Sequence, residues 1–144
     1  MDHIAIMSKE IPFLERVLAG TKTIESRLYS SKRLPWNKIS SGDQIYFKNV
    51  GEFISAQAQV QSVKQFENCS SNDIENLIRA NASALGLLED EITNFIQQVS
   101  QKRYVILLYL DKVKTIKPFQ INKKGFGSMA AWITVPDIKQ IVLN

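Results

Sequence analysis

The sequence contains few of the residues that build metal centres, disulfides and catalytic triads. Cys69 is the only cysteine among 144 residues, which excludes an intrachain disulfide and a cysteine-based metal cluster. His3 is the only histidine, so a Ser-His-Asp triad or a multi-histidine metal site would have to use this terminal residue, and we expect neither. No G-x-x-x-x-G-K-[ST] phosphate loop is present. We therefore predict no metal and no cofactor.

Long apolar runs are also missing. No stretch approaches the roughly 20 apolar residues that span a bilayer, and the first ten residues, MDHIAIMSKE, lack the basic segment and apolar core of a secretory signal. These features predict a cytoplasmic protein that does not enter a membrane. The apolar content of 44% and the charged content of 22% are typical of a globular protein, and the length predicts a single domain, 1–144.

Charge is distributed unevenly along the chain, which has a net charge of +4. Residues 67–98 carry one Lys or Arg against six Asp or Glu, whereas residues 1–66 carry nine against six and residues 99–144 carry eight against two. A basic body interrupted by an acidic segment indicates a phosphate-bearing partner. The alternative is that a small protein is mildly basic for solubility alone, and the acidic segment is a candidate surface for a protein partner.

Apolar periodicity predicts more strands than helices. A short helix capped by Ser8 should end at Gly20, and alternating polar and apolar residues predict strands in 23–29, 44–50 and 53–66. Consecutive strands of this kind favour an α+β fold with a small, largely antiparallel, closed or half-closed sheet.

The second half of the chain carries helical stripes and then further strands. Two helices are predicted in the acidic segment, as an insert of about 70–100. The nearly continuous apolar run at 103–110 predicts a central strand buried on both faces. We expect 113–119 to pair beside it as a separate strand, and 138–143 to form a closing strand.

The strand predicted at 23–29 has an unusually polar face. Thr23, Glu25, Arg27 and Tyr29 share one face, and the apolar Ile24 lies on the other together with Ser26 and Leu28. The polar face is either a solvated sheet edge, with Glu25 and Arg27 as an exposed ion pair, or the lining of a site. Lys22, just before the strand, either neutralises the C-terminus of the preceding helix or contacts a ligand.

The segment that carries these residues resembles the ASCH domain, a family of the PUA-like β-barrel superfamily. Residues 20–27, GTKTIESR, match the signature G-x-K-T-[IV]-E-x-R, and GDQIYF at 42–47 matches the turn and strand that normally follow. The resemblance covers about 4–66 and includes 103–110 as a later strand; the helical insert is not part of the minimal domain. It implies a small PUA-like, mostly antiparallel β-barrel with an N-terminal helix, and a cleft lined by Lys22, Glu25 and Arg27.

The resemblance also implies a role with RNA, a nucleotide or a modified nucleoside. Some small ASCH proteins hydrolyse the amide of N4-acetylcytidine, and at least one kind cuts single-stranded RNA. In the amidohydrolase pattern a lysine is the base and a threonine three residues later is the nucleophile; Lys22 matches the lysine, but Glu25 stands in place of the threonine. We therefore predict RNA or nucleotide binding without hydrolysis of N4-acetylcytidine. A hydrolase with Lys22 and Glu25 as catalytic residues is the alternative, so the question of enzymatic activity stays open.

The predicted binding surface extends beyond the signature. Tyr29, Arg33 and Trp36 interleave aromatic and basic groups, a combination that holds single-stranded nucleic acid, although Trp36 could equally pack its loop onto the barrel. Trp132 is expected in the core. We expect alanine at Lys22 or Arg27 to weaken binding without much loss of stability. The predicted ligand-binding residues are Lys22, Thr23, Glu25, Arg27, Tyr29, Arg33, Trp36 and Lys124.

Overall fold

Alternating and β-branched segments of the chain form a curled mixed sheet, and three helices lie against it. The computed structural model describes residues 1–143. The strands are β1 (Asp2–Met7), β2 (Ile24–Tyr29), β3 (Gln44–Asn49), β4 (Ile54–Phe66), β5 (Tyr104–Ile121), β6 (Trp132–Val135) and β7 (Val142–Leu143). The helices are α1 (Phe13–Ala19), α2 (Ser71–Asn81) and α3 (Ile92–Val99). This arrangement confirms the predicted α+β class.

The strands follow the order β2-β5-β4-β3-β1-β6, and β7 pairs with β5. The β1–β3 pair is parallel and the other pairs are antiparallel. Among residues 1–143 no backbone ladder joins the two ends of this order, β2 and β6. Side chains bridge the gap instead: Arg27 Nη1 donates to the carbonyl of Ala131 at 3.2 Å, and Nη2 lies 3.4 Å from the sulfur of Met7. The barrel is therefore half-closed, with a seam between β2 and the β1–β6 edge.

The first helix delivers the chain directly to β2. Leu14 and Val17 are buried, and Gly20 ends the helix in the left-handed conformation, at φ +80°, which glycine adopts without the penalty of a Cβ. The amides of Thr21 and Lys22 both donate to the carbonyl of Arg16 at 3.0 Å, which turns the chain into β2.

The predicted cap at Ser8 is wrong. Its hydroxyl accepts from the amide of Glu10, two residues on, and Pro12 directly precedes the helix. The amides of the first helical turn receive no side-chain cap from Pro12, because proline has no side-chain acceptor.

The acidic segment forms the two predicted helices, and they cover the outer face of the sheet. Ser70 and Asp73 form a capping box at the start of α2, with reciprocal bonds of 3.0 and 2.8 Å. Ile74 and Ile78 of α2 and Ile96 of α3 then pack on residues of β2 and β5, which are Ile24, Val105 and Leu107. The insert is therefore attached through an apolar cluster, and its exposed side remains a candidate surface for a protein partner.

The second half of the sheet differs from the prediction in two places. Residues 113–119 do not form a separate strand beside 103–110; they continue β5, which turns at Lys112 with φ +50° and goes on pairing with β4. The closing strand predicted at 138–143 is reduced to β7, because Ile138–Gln140 forms a 3-10 turn. The strands β1 and β6 were not predicted.

Three apolar clusters hold the fold together. The first fills the barrel interior and includes Phe47, Ile106 and Trp132, which confirms the expected core position of this tryptophan. The second lies under α2 and α3 and contains Cys69, whose thiol has a pKa raised by burial. The third lies outside β1 and β6, where the 3-10 turn covers it. No helix within residues 1–143 is long and apolar enough to cross a membrane.

Candidate functional site

A cleft of about 480 Å³ opens at the seam of the half-barrel. β2 contributes Glu25, Arg27 and Tyr29 to it, the polar face that the alternation predicted, and also Ser26 and Leu28 from the other predicted face. One wall is apolar and is formed by Phe13 of α1 with Phe95 and Val99 of α3; the opposite side is formed by Met7, Lys48, Val50, Lys123 and residues 128–131. The cleft lies here because the sheet is not closed by backbone hydrogen bonds at this joint.

Glu25 lies at the base of the cleft as a buried carboxylate, and its residue is 3% exposed. Its oxygens accept from Arg27 Nη2 at 3.1 Å and from the Ser26 amide at 3.0 Å, and Oε1 lies 3.5 Å from Lys22 Nζ. Burial alone would raise the pKa of this carboxyl, but the two cations and the two hydrogen bonds hold it below its usual range. Glu25 is therefore ionised and fixes the guanidinium beside it.

Lys22 lies behind Glu25 and does not line the cleft. It is 2% exposed, and its Nζ donates to the carbonyls of Ile24 and Leu85 at 2.7 and 2.8 Å, with Glu25 as the third acceptor. Three acceptors match the three protons of an ammonium group. Burial lowers the pKa of Lys22, and the charge of Glu25 opposes that shift. Alanine here would remove a buried ion-pair partner, so the expectation of little stability loss does not hold for Lys22.

The loop between α2 and α3 is shaped to receive Lys22. Gly86 has φ +78°, and a Cβ at this position would lie 2.7 Å from the Cβ of Lys22. Arg16 fixes the loop from the other side, since its Nη1 donates to the Gly86 carbonyl at 2.8 Å and to Glu91 at 2.6 Å. The insert therefore contributes a carbonyl, and two apolar side chains of the wall, to the site.

Three cations contribute charge to the cleft, and two of them are lysines from distant segments. Lys48 and Lys123 both line the cleft, and the pKa of Lys48 is lowered by partial burial and then by the charge of Lys123. Arg27 is the third cation. The charge of Glu25 is balanced by buried Lys22, and this leaves the cleft with an excess of positive charge beside an apolar wall.

Arg27 is supported from below by an aromatic and histidine network. Its guanidinium lies 5.1 Å from the ring centroid of Trp132, whose Nε1 donates to Nδ1 of His3 at 3.2 Å. Because Nδ1 accepts, Nε2 of a neutral His3 carries the proton and donates to Asp43 at 2.9 Å. Burial lowers the pKa of His3, against the hydrogen bond and charge of Asp43. Trp132, which Arg27 contacts, is thus held in place by a hydrogen-bonded chain through His3 to Asp43.

The predicted site residues separate into two groups. Glu25, Arg27 and Tyr29 line the cleft, with Lys22 in contact behind them, whereas Thr23 is exposed beside the ends of α1 and α2. The other three predicted residues lie outside the lining: Arg33, Trp36 and Lys124. Arg33 and Lys124 are exposed and Trp36 is half-buried.

The structure adds residues that the sequence did not indicate as site residues. The most important are Lys48, on the polar face of β3, and Lys123, the neighbour of the lysine that was predicted. Phe95 and Val99 lie four residues apart on the stripe of α3, a spacing that predicts packing and not a ligand wall. The polar alternation of β3 is the one signal that marks Lys48, but it does not show which cleft the side chain enters.

The half-closed β-barrel with a cleft beside its first helix is also found in solved structures of ASCH proteins. The crystal structure of an ASCH protein from Zymomonas mobilis is similar over 96% of this chain and 90% of that chain, with a TM-score of 0.67 and 14% identity. A tyrosine-to-phenylalanine variant of the same protein matches equally well, over 93% of its chain. The chain thus has the ASCH domain fold, as the signature predicted.

A more distant likeness connects the fold to another solved domain. The N-terminal domain of McrB from Staphylothermus marinus has a TM-score of 0.51 and 14% identity over 83% of this chain and 76% of that one. No family model matches the sequence, and no curated protein matches it. At these identities the comparisons establish the fold alone.

Proposed function

We propose that this protein binds RNA by holding one of its nucleotides in the cleft at the seam. The observation that supports this proposal is the convergence of three cations, Arg27, Lys48 and Lys123, on a cleft with an apolar wall. A nucleotide has two parts that match this lining, an anionic phosphate and a flat aromatic base. The ASCH fold and the basic net charge of +4 agree with such a ligand.

The two sides of the cleft suit the two parts of the ligand. Lys48 and Lys123 are point charges suited to phosphate oxygens, and Arg27 offers a planar fork. Phe13 and Phe95 meet edge to face, at 6.1 Å between centroids, and provide an aromatic wall for the base. Burial raises the pKa of Tyr29, so its phenol keeps its proton and can donate to a base edge.

We infer binding without amide hydrolysis. A lysine base needs an unprotonated nitrogen with a lone pair, and the three donor positions of Lys22 already face three oxygens. The hydroxyl of Thr23 is exposed on a different surface. These features support a binding protein over the N4-acetylcytidine hydrolase that remains the alternative.

Titration with cytidine 5′-monophosphate (CMP) at several salt concentrations tests the proposal. Lys48→Ala and Lys123→Ala should each weaken binding by about 1–3 kcal/mol, since a charge-assisted contact is lost, and affinity should fall as salt increases. Lys114→Ala is the matched control, because Lys114 is exposed on β5 outside the lining.

Two results would contradict the proposal. Binding that is independent of salt, or equal losses in the cleft variants and the control, would favour a protein-interaction module that uses the acidic insert. In the same samples, incubation with N4-acetylcytidine followed by chromatography should show no release of cytidine; release by the wild-type protein would establish the hydrolase.

A further inference from the structure

We propose that the cleft continues into a second surface, which we call the aromatic track, and that the track holds the neighbouring nucleotides of a single-stranded RNA. This inference rests on the proposed function of the cleft. The track consists of three aromatic and two basic residues, Tyr29, Tyr104, Trp36, Lys32 and Arg33.

The three aromatic side chains form a continuous path from the cleft. Tyr29 lines the cleft and is paired with Tyr104 in the β2–β5 ladder, so their side chains leave the same face of the sheet as direct neighbours. The ring of Tyr104 meets that of Trp36 edge to face, with 5.3 Å between centroids. All three residues are partly exposed, and Tyr29 and Trp36 also pack with one side against the barrel-interior cluster. Flat, partly exposed rings in sequence are the surface on which successive unpaired bases stack.

Basic groups accompany the rings over the whole path. Lys32 Nζ lies 5.9 Å from the ring centroid of Trp36 and 6.0 Å from that of Tyr104. Arg33 lies in the same turn as Trp36, whose amide donates to the Arg33 carbonyl at 2.8 Å. Cations placed between stacking surfaces match the alternation of bases and phosphates along a single strand. The combination of rings and charges therefore selects a nucleic-acid strand over an uncharged ligand.

One carboxylate competes with the strand. Glu67 lies 3.5 Å from Lys32, and both side chains are 55% exposed. In the absence of a ligand this pair is a weak surface ion pair. An RNA phosphate must replace Glu67 as the partner of Lys32, and the carboxylate repels that phosphate. Removing the negative charge should therefore strengthen strand binding, whereas removing the cations should weaken it.

The test compares CMP with a cytidine tetranucleotide on the full chain. The tetranucleotide should bind about 5- to 150-fold more tightly per additional stacked base, and three abasic units in place of its nucleosides outside the cleft should remove most of that gain.

The double variant Lys32→Ala/Arg33→Ala should lower only the tetranucleotide affinity, and should reduce the slope of log K against log salt by about 1.4, for two lost phosphate contacts. Glu67→Gln should raise the tetranucleotide affinity and leave CMP unchanged. All three substituted residues are exposed, so the variants should fold.

The outcomes separate the two proposals. If neither CMP nor the tetranucleotide binds, the cleft proposal fails and the track fails with it. If CMP binds with the losses expected for the cleft variants, but the tetranucleotide binds no better, the track is overturned and the cleft stands. Retention of the gain with abasic units would show that the rings are not stacking platforms, and would likewise overturn the track.

Discussion

Replacing Glu25 with glutamine would remove one charge from the buried cluster while keeping the shape of the side chain. Lys22 would then remain as an ammonium group in a site where it is 2% exposed, with two carbonyls but no counter-ion. Breaking a buried pair by removing one partner costs about 3–5 kcal/mol, since the remaining charge is not compensated. For a domain of this size the loss corresponds to a decrease in Tm of about 6–20 °C.

The pH dependence of this loss follows from the two pKa directions. The pKa of Lys22 is lowered by burial and partly restored by Glu25, so it falls further in Glu25→Gln. At pH values between the lowered pKa of Lys22 in the folded variant and its higher pKa in the unfolded chain, the unfolded chain binds more protons than the folded one, so stability rises with pH. The stability difference between Glu25→Gln and the wild type should therefore decrease as the pH is raised from 7 to 10. Folding lowers the pKa of Glu25, so its contribution to stability is lost when the pH falls below that lowered pKa. At such low pH the wild type and Glu25→Gln should have similar stability.

Thermal unfolding followed by circular dichroism provides the measurement. Glu75→Gln is the matched control, because Glu75 forms an exposed pair with Arg79 at 2.8 Å that contributes only about 0–1 kcal/mol. The double variant Lys22→Met/Glu25→Gln should recover much of the lost stability, since the fully buried ammonium is removed and only the Arg27 guanidinium, whose side chain is 12% exposed, lacks its carboxylate. The reasoning is refuted if Glu25→Gln melts like the control, or if the double variant is as unstable as Glu25→Gln.

Two further predictions concern the supports of the cleft. Gly86→Ala should lower the free energy of unfolding by about 2–5 kcal/mol, because of backbone strain at φ +78° and a clash with Lys22. Gly51→Ala is the control, since it has a similar φ of +77° but nothing within 4 Å of the added Cβ, and should show the strain alone. Equal decreases in Tm would show that the clash with Lys22 contributes nothing. Burial lowers the pKa of His3, so stability should fall as pH drops below about 6.5, by up to about 2 kcal/mol at pH 5. His3→Gln should flatten that slope of Tm against pH, and an unchanged slope would show that His3 does not cause it.

The local part of the site could be predicted from the sequence because it depends on neighbouring residues. Alternation along β2 correctly separates Ile24 from Glu25 and Arg27, and the motif identifies the fold that places them at a cleft. Thr23 shows the limit of that rule, because it precedes the first residue of β2 and its side chain is exposed on another surface. A pattern of period two applies only within the strand.

The burial of Lys22 could not be predicted, because its partners lie far away in the sequence. One of its three acceptors is the carbonyl of Leu85, in a loop that also depends on Arg16 and on the missing Cβ of Gly86. A lysine near a helix end is normally exposed, and only the packed insert makes it a core residue.

Two strands and the walls of the cleft escaped prediction for a related reason. β1 ends in an apolar run, residues 4–7, that is buried on both faces and has no alternation. β6 has four residues, too few for a period to be recognised. Lys48 and Lys123 meet at the cleft only through the parallel β1–β3 pairing and the chain that leads to β6. These contacts are set by topology and not by local pattern.

The length of β5 has a consequence for how the molecule loses its structure. Ile106 and Leu108 belong to the barrel interior, Val105 and Leu107 to the cluster under the helices, and Ile121, at the far end of the same strand, to the third cluster. One element therefore serves as a shared spine for all three cores. Local unfolding of one core would displace the strand that the other two cores share. We therefore expect partial unfolding through β5 to cost nearly as much free energy as global unfolding. We therefore expect local opening first at the seam, which no backbone ladder closes within residues 1–143.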